Sequence, residues 1–423
     1  MRLKEFVRSG HPPTLAAAFL YFDVSFMVWV LLGVLGVYVA QDFGLSAVQK
    51  GLLVAVPILG GALVRVPLGV LVDRIGPKRT GLVAQLAVLA PLMLGWLWAR
   101  TWSQVLVTGL LLGIAGGSFA VALPLASRWY PPKHQGLAMG IAGAGNSGTV
   151  LAALLAPRLA ERIGWHGVFG AALIPVLGVL AFFAWCAREV PARLAPAAKE
   201  PWWRLCREPD LWRLSGFYSF TFGGFVGLAS FLVIFFHDQY GLNKLMAGNF
   251  TALCVCAGSC LRPVGGYLAD RFGGTRMLSV FLALAAVGLF ALSALPSLPA
   301  ATALLFGIVA CLGMGNGSVF QLVPQRFRRT IGLATGIVGA IGGLGGFALP
   351  CFLGVSRQFT GSYQAGFLCL AGFGVACLIG LRLVRARWAA SWLAPQAAAR
   401  AVSPAPREHC VNVPALTEGL PVR

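Results

Sequence analysis

The sequence predicts an all-α membrane protein with twelve transmembrane helices in two pseudo-symmetric halves of six, and three observations support this fold class. Apolar residues make up 58% of the 423 residues, charged residues make up only 11%, and the mean hydropathy is +0.80. That composition is far more apolar than that of a soluble domain. Apolar stretches long enough to cross a bilayer, about 20 residues each, recur along the chain. One of these stretches is also repeated in the second half of the sequence.

Twelve apolar stretches have the length of a membrane span. They cover residues 15–40, 49–72, 80–99, 103–127, 136–160, 166–187, 211–236, 245–269, 277–296, 299–322, 331–355 and 363–384. The polar connection at 188–210 contains four prolines and several charges, so it predicts a linker between an N-terminal half (1–187) and a C-terminal half (211–385). Residues 386–423 lose the apolar pattern and contain several prolines, which predicts a flexible cytoplasmic tail.

The second span carries the segment that is repeated. Residues 64–79 read VRVPLGVLVDRIGPKR, and residues 261–276 read LRPVGGYLADRFGGTR. A constant shift of 197 positions places Arg65 on Arg262 and Asp73 on Asp270. Self-similarity at a fixed offset indicates a repeated structural unit, so the chain is predicted to contain two copies of one six-span unit.

The basic residues are distributed unequally between the two sides of the predicted membrane. Of the 33 lysines and arginines, two lie deep within spans and six lie on the side opposite the termini. Those six are Lys50, Arg100, Arg158, Arg162, Lys244 and Arg357. Since cytoplasmic loops carry the excess of positive charge, the remaining 25 predict that both termini are cytoplasmic. The expected location is the plasma or inner membrane.

The formal charge of +20 does not indicate a nucleic-acid partner, because the basic residues lie mainly in short loops between spans. They are expected to lie beside the anionic headgroups of the lipid bilayer instead. The ten cysteines fall mostly inside apolar segments and form no metal or disulfide pattern. Without a nucleophile and base, a metal set or a phosphate loop, the sequence predicts no enzyme, no metal site and no cofactor. A monomer is the default expectation.

Arg65 and Arg262 are the only basic residues at the centre of spans. Arg65 lies eight residues before the loop at Asp73, which is about 12 Å along a helix and too deep for its head group to reach the interface easily. Among the 13 acidic residues only Asp23 lies well inside a span, so a carboxylate could neutralise at most one arginine. The site should therefore carry net positive charge, which predicts a small anionic substrate. A guanidinium stays protonated, and its forked donors suit a flat oxyanion.

The fifth and eleventh spans are unusually rich in glycine. Their predicted helix-packing glycines are Gly136, Gly140, Gly143, Gly145 and Gly148 in the fifth span and Gly332, Gly336, Gly339 and Gly343 in the eleventh. Small residues four positions apart let a neighbouring helix approach closely and slide. Asn146 lies among the fifth-span glycines and is one of the few hydrogen-bonding side chains there, so it is a candidate polar ligand.

Two short basic loops follow the second and eighth spans. They read Asp73-Arg74-x-Gly76-x-x-Arg79 and Asp270-Arg271-x-Gly273-x-x-Arg276. Together with the six-plus-six arrangement, this pattern resembles the major facilitator superfamily over about residues 12–385. The resemblance implies the major facilitator fold and a gating role for Asp73, Arg74, Arg79, Asp270, Arg271 and Arg276. For either loop taken alone, a simple basic turn is the alternative.

The glycine-rich spans make the resemblance more specific. The segments Gly136-x-Ala138-x-Gly140-x-x-Gly143-x-Gly145-Asn146-x-Gly148 and Gly332-x-Ala334-x-Gly336 are similar to the paired signatures of the nitrate/nitrite porter family. The tenth-span segment Gly313-x-Gly315-Asn316-Gly317-x-x-Phe320-x-x-x-Pro324 is also typical of that family. The resemblance implies that the substrate ligands are Arg65 and Arg262, with Asn146 as the signature asparagine and Phe119, Tyr218 and Phe222 as aromatic walls. An ordinary core or lipid-facing role is the alternative for the two phenylalanines, since the chain contains 28.

The sequence favours a nitrate/nitrite antiporter that works by alternating access, because an empty site with two facing arginines should oppose return without cargo. Proton-coupled nitrate symport is the main alternative, with Asp23 as the possible proton carrier. For Asp23 itself, a salt bridge or a helix-face hydrogen bond is an equally good interpretation. Exchange of another small anion, or a role as a non-transporting membrane sensor, is also compatible with the sequence.

Overall fold

The computed structural model of the chain describes residues 3–189, 202–327 and 330–393, and all regular secondary structure in these ranges is helical. Ten helical segments there are long and apolar enough to cross a membrane. One of them, Ala138–Cys186, contains two spans separated at Gly164, whose φ of 70° and ψ of 161° are not helical. The first span is not among the ten because it is broken into shorter helices. The described residues therefore contain the twelve spans that the sequence predicts.

The first half, defined as spans one to six, begins after a short helix, α1 (Leu3–Arg8). The first span consists of α2 (Pro12–Trp29), α3 (Leu31–Val34) and α4 (Gly36–Phe43), the second is α5 (Ala47–Ile75), and the third is α6 (Pro77–Leu97). The fourth span consists of α7 (Trp102–Gly116) and α8 (Phe119–Arg128). The fifth begins with α9 (Pro132–Gly143), and α10 (Gly148–Cys186) supplies the end of the fifth and all of the sixth.

The second half, defined as spans seven to twelve, follows a short helix, α11 (Trp202–Leu205). Its spans are formed by α12 (Pro209–Tyr218) and α13 (Gly224–Tyr240); α14 (Lys244–Phe272); α15 (Gly274–Ser293); α16 (Leu298–Arg326); α17 (Ile331–Thr360); and α18 (Gln364–Trp388). A separate compact unit begins at Val384 and, within the described residues, ends in a π-helical turn at Ala389–Leu393. The remainder of the predicted tail, and residues 190–201 of the predicted linker, lie outside the described residues.

Side-chain contacts show that the chain reverses within α10. Trp165 donates from its indole nitrogen to Asp42, near the end of the first span, at 2.5 Å. Thr14, near the beginning of the first span, donates to the carbonyl of Cys186 at 3.4 Å. The two ends of the segment 165–186 therefore lie at opposite ends of the first span, as expected for a sixth span that runs antiparallel to the fifth.

The repeat predicted from the sequence extends to the backbone of the turns. The first and seventh spans end at Gly44 and Gly241, whose φ values are 59° and 67°. The basic loops turn at Gly76 and Gly273, with φ values of 90° and 94°. Both pairs obey the same 197-residue shift, and each position needs a residue that tolerates positive φ. The two halves therefore share turn geometry as well as sequence.

Three further spans, besides the first, are interrupted near their middle. The fourth span breaks between α7 and α8, the fifth contains a 3₁₀ turn at Ala144–Ser147, and the seventh contains a π-helical turn at Ser219–Gly223. Short 3₁₀ and π segments inside longer helices often mark functional sites, because they redirect side chains that a regular helix would place elsewhere. These interruptions adjoin Phe119, Asn146 and Tyr218, which are candidate site residues.

An ion pair joins the two halves at the end of the bundle opposite the chain's beginning, here called the distal end. Lys50 of the second span lies 2.6 Å from the carboxylate of Asp238 at the end of the seventh, and the hydroxyl of Tyr363 lies 3.4 Å from the same oxygen. Further contacts between the halves at this end are Arg158 with Asn249 at 2.8 Å and Lys244 over the Tyr38 ring at 4.0 Å. These contacts, called the distal latch, hold the two halves together at the distal end.

Replacing Lys50 with alanine is expected to loosen the distal latch. The change leaves the Asp238 carboxylate, which is only 15% exposed, without its cation. Amide hydrogen exchange in residues 44–51 and 238–243 should become about tenfold faster, which corresponds to about 1.4 kcal/mol. Arg100→Ala is the matched control, because Arg100 is an exposed cation of the first half that contacts no residue of the distal latch. The double variant Lys50→Asp with Asp238→Lys should restore slow exchange, and failure to do so would argue against an electrostatic latch.

Candidate functional site

The two repeated arginines lie at the centre of the bundle, one from each half. Arg65 in α5 is 1% exposed and Arg262 in α14 is 7% exposed. Both guanidinium groups lie over the ring of Phe119, with their central carbons 5.9 and 5.5 Å from the ring centroid. They are close enough to repel each other electrostatically. The fold therefore brings two like charges from opposite halves to one side chain.

Arg65 donates hydrogen bonds to carbonyl groups of both halves. Its Nε donates to the Gly116 carbonyl in the fourth span at 3.1 Å, and its Nη1 donates to the Gly339 carbonyl in the eleventh. Its Nη2 is buried without a partner, as is Nη1 of Arg262. Within the described residues, neither guanidinium forms an ion pair with a carboxylate. Two buried donors therefore remain for an acceptor, and leaving such a donor unpaired costs about 1–3 kcal/mol.

Aromatic rings enclose the Arg65 guanidinium. Its central carbon lies 4.6 Å from the centroid of Phe222 and 5.3 Å from that of Trp29. Tyr218 and Phe222 stack with their centroids 4.9 Å apart and their planes at 5°, an arrangement set by the π-helical turn between them. Cation–π contacts of this kind stabilise a desolvated guanidinium by about 2 kcal/mol. The rings therefore surround the guanidinium with apolar surface.

Two aromatic residues of this cluster were not assigned a role from the sequence. Phe320 of the tenth span meets Phe119 at 5.1 Å and Tyr218 at 4.9 Å, edge to face in both cases. Trp29 is held by a 2.7 Å hydrogen bond from its indole nitrogen to the Pro57 carbonyl. The tenth-span motif includes Phe320, but the motif does not predict that this residue lies in the site. Trp29 carried no distinguishing signal among 12 tryptophans.

Asn146 lies in the 3₁₀ turn of the fifth span and is fully buried. Its backbone carbonyl accepts from Thr149 at 2.6 Å and from Ser259 of the eighth span at 3.3 Å, but neither atom of its side-chain amide has a partner. The amide of Asn316 and the hydroxyl of Tyr218 are likewise buried and unpartnered. Buried polar groups are normally hydrogen-bonded, so several such groups near one site indicate a polar ligand. The sequence analysis assigns Asn146 and Tyr218 to the site, whereas Asn316 appears there only as part of the tenth-span motif.

Glycines of the fifth and eleventh spans lie beside the arginines of the opposite halves. A Cβ on Gly143 would lie 3.9 Å from Nε of Arg262, and one on Gly339 would lie 3.5 Å from Cδ of Arg65. Gly336 lies beside the backbone carbonyl of Arg65. Both glycine-rich spans therefore contribute backbone rather than side chains to the walls of the site.

The other predicted glycines differ in their surroundings. Gly145 and Gly148 pack against the first span, and Gly343 packs against Ala62 of the second. Among the described residues, no atom of a neighbouring segment lies within 4 Å of the position that a Cβ on Gly140 would occupy. The surroundings of Gly136 and Gly332 lie outside what the structure describes.

Asp23, the carboxylate expected at membrane depth, lies beside the fifth span. One of its oxygens accepts from the hydroxyl of Ser147 at 2.6 Å. It forms no ion pair with Arg65 or Arg262 in the described residues. The charge of the two arginines is therefore not balanced by Asp23 in this structure.

The basic loop of the first half is braced within that half. Asp73 pairs with Arg128 at the end of the fourth span at 3.1 Å. Glu189, beyond the sixth span, accepts from the backbone N–H groups of Lys78 at 2.8 Å and of Arg79 at 3.2 Å. These N–H groups belong to the first turn of α6, where a carboxylate is favourable because of the helix dipole.

The second half is braced differently at the equivalent end. Arg326, at the end of the tenth span, pairs with Glu208 at 2.7 Å and with Asp210 at 2.9 Å. Arg271 lies over the ring of its neighbour Phe272. No ion pair crosses between the halves at this end within the described residues. Of the predicted gating residues, the structure gives Asp73 a charged partner and attaches Arg79 through its backbone, while it describes no ion pair for Arg74, Asp270 or Arg276.

Comparisons with known proteins agree with this architecture. The family model of the Major Facilitator Superfamily matches residues 17–350. The "Nitrite extrusion protein" of Bacillus subtilis is 35% identical over 357 residues, which cover 84% of this chain and 90% of the relative. The "Probable nitrate/nitrite transporter NarK2" of Mycobacterium tuberculosis is 36% identical over 370 residues, with 84% and 92% covered.

Two solved structures share the fold. The human organic anion transporter MFSD10 matches with a TM-score of 0.70 at 17% identity, over 88% of this chain and 99% of that one. A bacterial homologue of the human lysosomal transporter Spinster, described in an inward-facing and occupied conformation, matches with a TM-score of 0.67 at 21% identity, over 88% and 96%. At these identities the likeness concerns the fold alone.

Proposed function

The chain belongs to the major facilitator superfamily and, within it, to the nitrate/nitrite porter family, and from that premise we propose that it exchanges nitrate for nitrite across the cytoplasmic membrane by alternating access. The family consists of transporters, so the chain is a multi-pass membrane transporter and not an enzyme. The exchange mode and the choice of anion are the parts proposed here.

The observation that carries the proposal is the pair of buried guanidinium groups with unpartnered donors. Arg65 and Arg262 each keep a free N–H inside the bundle, and no described carboxylate pairs with either one. A small anion that accepted from both would satisfy the two donors and lower the net charge of the site. Nitrate and nitrite are small and planar, and the flat guanidinium fork fits such oxyanions.

The aromatic rings limit the size of the anion. Phe119 lies beneath both guanidinium groups, while Tyr218 and Phe222 stack beside them. All three side chains are at most 2% exposed, so the space between the arginines is narrow and dry. A flat ion can lie between ring faces, whereas a tetrahedral phosphate ester would have to displace a ring. The unpartnered amide of Asn146 and the hydroxyl of Tyr218 would supply further hydrogen bonds.

Exchange follows from the charge of the empty site. Without an anion, the two arginines repel each other in surroundings of low polarity, where the interaction is much stronger than in water. Moving the halves between their two orientations requires the site to close, and closure is least favourable when the site is empty. Reorientation should therefore be fast only with nitrate or nitrite bound, which is the behaviour of an antiporter.

The distal latch indicates on which side of the membrane the two halves are held together. The excess of basic residues on the terminus side favours a cytoplasmic location for both termini, so the distal end would face the outside. The latch joins the halves there, and no described ion pair joins them at the terminus end. We assign this arrangement to a state that is closed to the outside.

Proteoliposomes test the proposed exchange directly. Vesicles loaded with nitrite are expected to take up labelled nitrate, and vesicles loaded with chloride only are expected to take up little, because the empty site reorients slowly. The measurement is nitrate uptake with and without internal nitrite, each with and without an imposed pH gradient. Uptake into chloride-loaded vesicles that an inward proton gradient drives would contradict exchange and support proton-coupled symport.

A further inference from the structure

We propose that Asp23 is a positioning residue, whose carboxylate holds the 3₁₀ turn of the fifth span so that the Asn146 side-chain amide is presented to the anion. The inference rests on the proposed function, because it takes Asn146 as a ligand of the transported anion. It gives a role to the one carboxylate at membrane depth that the exchange mechanism does not use. That role does not require the carboxylate to bind or release a proton.

The carboxylate of Asp23 lies at the beginning of α10. α10 begins at Gly148, and Ser147 at its N-cap position makes no side-chain capping bond of its own. The Ser147 hydroxyl donates instead to the Asp23 carboxylate at 2.6 Å, while the N–H of Gly148 donates to backbone carbonyls of the 3₁₀ turn. A carboxylate beside the first turn of a helix is favourable because of the helix dipole. Asp23 thus holds Ser147, the residue at which the 3₁₀ turn returns to α-helix.

The backbone of the first span packs directly against this turn. A Cβ on Gly148 would overlap the backbone oxygen of Asp23, and one on Gly145 would lie 2.9 Å from the backbone nitrogen of the same residue. Contact this close leaves the turn little freedom to move relative to the first span. The glycine contacts act on the two residues that flank Asn146 and Ser147, and the carboxylate bond acts on Ser147 itself.

The turn is attached to the eighth span on its other side. Ser259, one helical turn before Arg262, donates to the backbone carbonyl of Asn146 at 3.3 Å. Gly143, just before the turn, lies beside Nε of Arg262. Asn146 is therefore held between Asp23 in the first half and the helix of Arg262 in the second, with its side-chain amide buried and unpartnered. A change at Asp23 should reach the anion through Asn146 rather than through the arginines.

Substitutions at Asp23 separate positioning from proton transfer. Asp23→Asn keeps an oxygen that can accept from Ser147, so nitrate KM should stay within about twofold and its pH profile should not change. Asp23→Leu removes the acceptor, and nitrate KM should rise about tenfold. Asp42→Asn, in the same span at the distal end, is the matched control. Loss of pH-gradient-driven uptake in Asp23→Asn would instead identify a proton carrier and overturn the proposal.

A double-mutant cycle tests whether Asp23 acts through Asn146. In an Asn146→Ala background, Asp23→Leu should raise nitrate KM by less than about twofold further, because the amide that it positions is gone. Additive effects would overturn the proposal. If Asp23→Leu does not yield folded protein, Ser147→Ala removes the hydroxyl that donates to Asp23 and should give a rise of the same kind, which again should disappear in the Asn146→Ala background.

Hydrogen exchange separates this inference from the proposed function. In protein without ligand, amides of residues 144–149 should exchange faster in Asp23→Leu than in Asp23→Asn or in the unaltered protein. That result would support the positioning of the turn even if nitrate were not the anion. Unaltered protein that binds no nitrate would refute the proposed function alone, whereas unchanged exchange in Asp23→Leu would refute the positioning role alone.

Discussion

Replacing Arg65 with lysine is expected to weaken nitrate binding by about 100-fold, the largest loss expected from any change that keeps the charge. Arg65 uses two nitrogens to hold the carbonyls of Gly116 and Gly339 and keeps Nη2 free inside the site. A lysine has one nitrogen and cannot hold both carbonyls and still donate to the anion. Hydrogen bonds to charged groups contribute about 1.5–3 kcal/mol each, so the loss of one or two accounts for this factor.

Isothermal titration of purified protein with nitrate measures the effect, and Arg357→Lys is the matched control. Arg357 lies at the distal end over Tyr363, where the length of its side chain has no bearing on the anion. Arg262→Lys should weaken binding in the same direction, since Nη1 of Arg262 is also unpartnered. Affinity within about threefold of the unaltered protein in Arg65→Lys would show that a point charge suffices and that forked recognition is wrong.

The order and extent of the spans were predictable because the bilayer imposes a length that hydropathy reveals. The interruptions were not, because they arise from contacts between distant spans. The first span breaks at Val30 and Leu35, where neighbouring Gly33 and Gly36 lie against Ser230 and Ile234 of the seventh span. Nothing local in the sequence marks those contacts.

The candidate site also contains residues that the sequence predicts and residues that only the packing of the spans brings together. Arg65 and Arg262 stood out because charge at membrane depth is rare, and the repeat linked them. Phe119, Tyr218 and Phe222 were implied by the resemblance, and the structure places all three beside the arginines. Trp29 and Phe320 complete the cluster through contacts that only the fold creates. The partner of Asp23 could not be predicted either, because Ser147 is one of several polar groups near that depth.

The glycines of the fifth span differ in how much space surrounds them, and this difference leads to the second large effect. Gly148→Ala is expected to disrupt the packing of the first span on the fifth, because the new Cβ would overlap the Asp23 carbonyl oxygen. The obstacle is backbone, which cannot rotate away as a side chain can. Overpacking of this kind costs about 1–3 kcal/mol and occasionally more. The thermal midpoint of the purified protein should fall by about 1–3 °C.

Gly140→Ala is the matched control, since the same sequence pattern selects Gly140 but no atom lies within 4 Å of its Cβ position. Alanine favours helix over glycine by about 1 kcal/mol, so this variant should be as stable as the unaltered protein or slightly more stable. Equal midpoints for the two variants would mean that the first and fifth spans are not in the close contact described here. A lower thermal midpoint in Gly148→Ala only would show that the small residue is required by the close contact between Gly148 and the Asp23 backbone, and not by the number of glycines in the span.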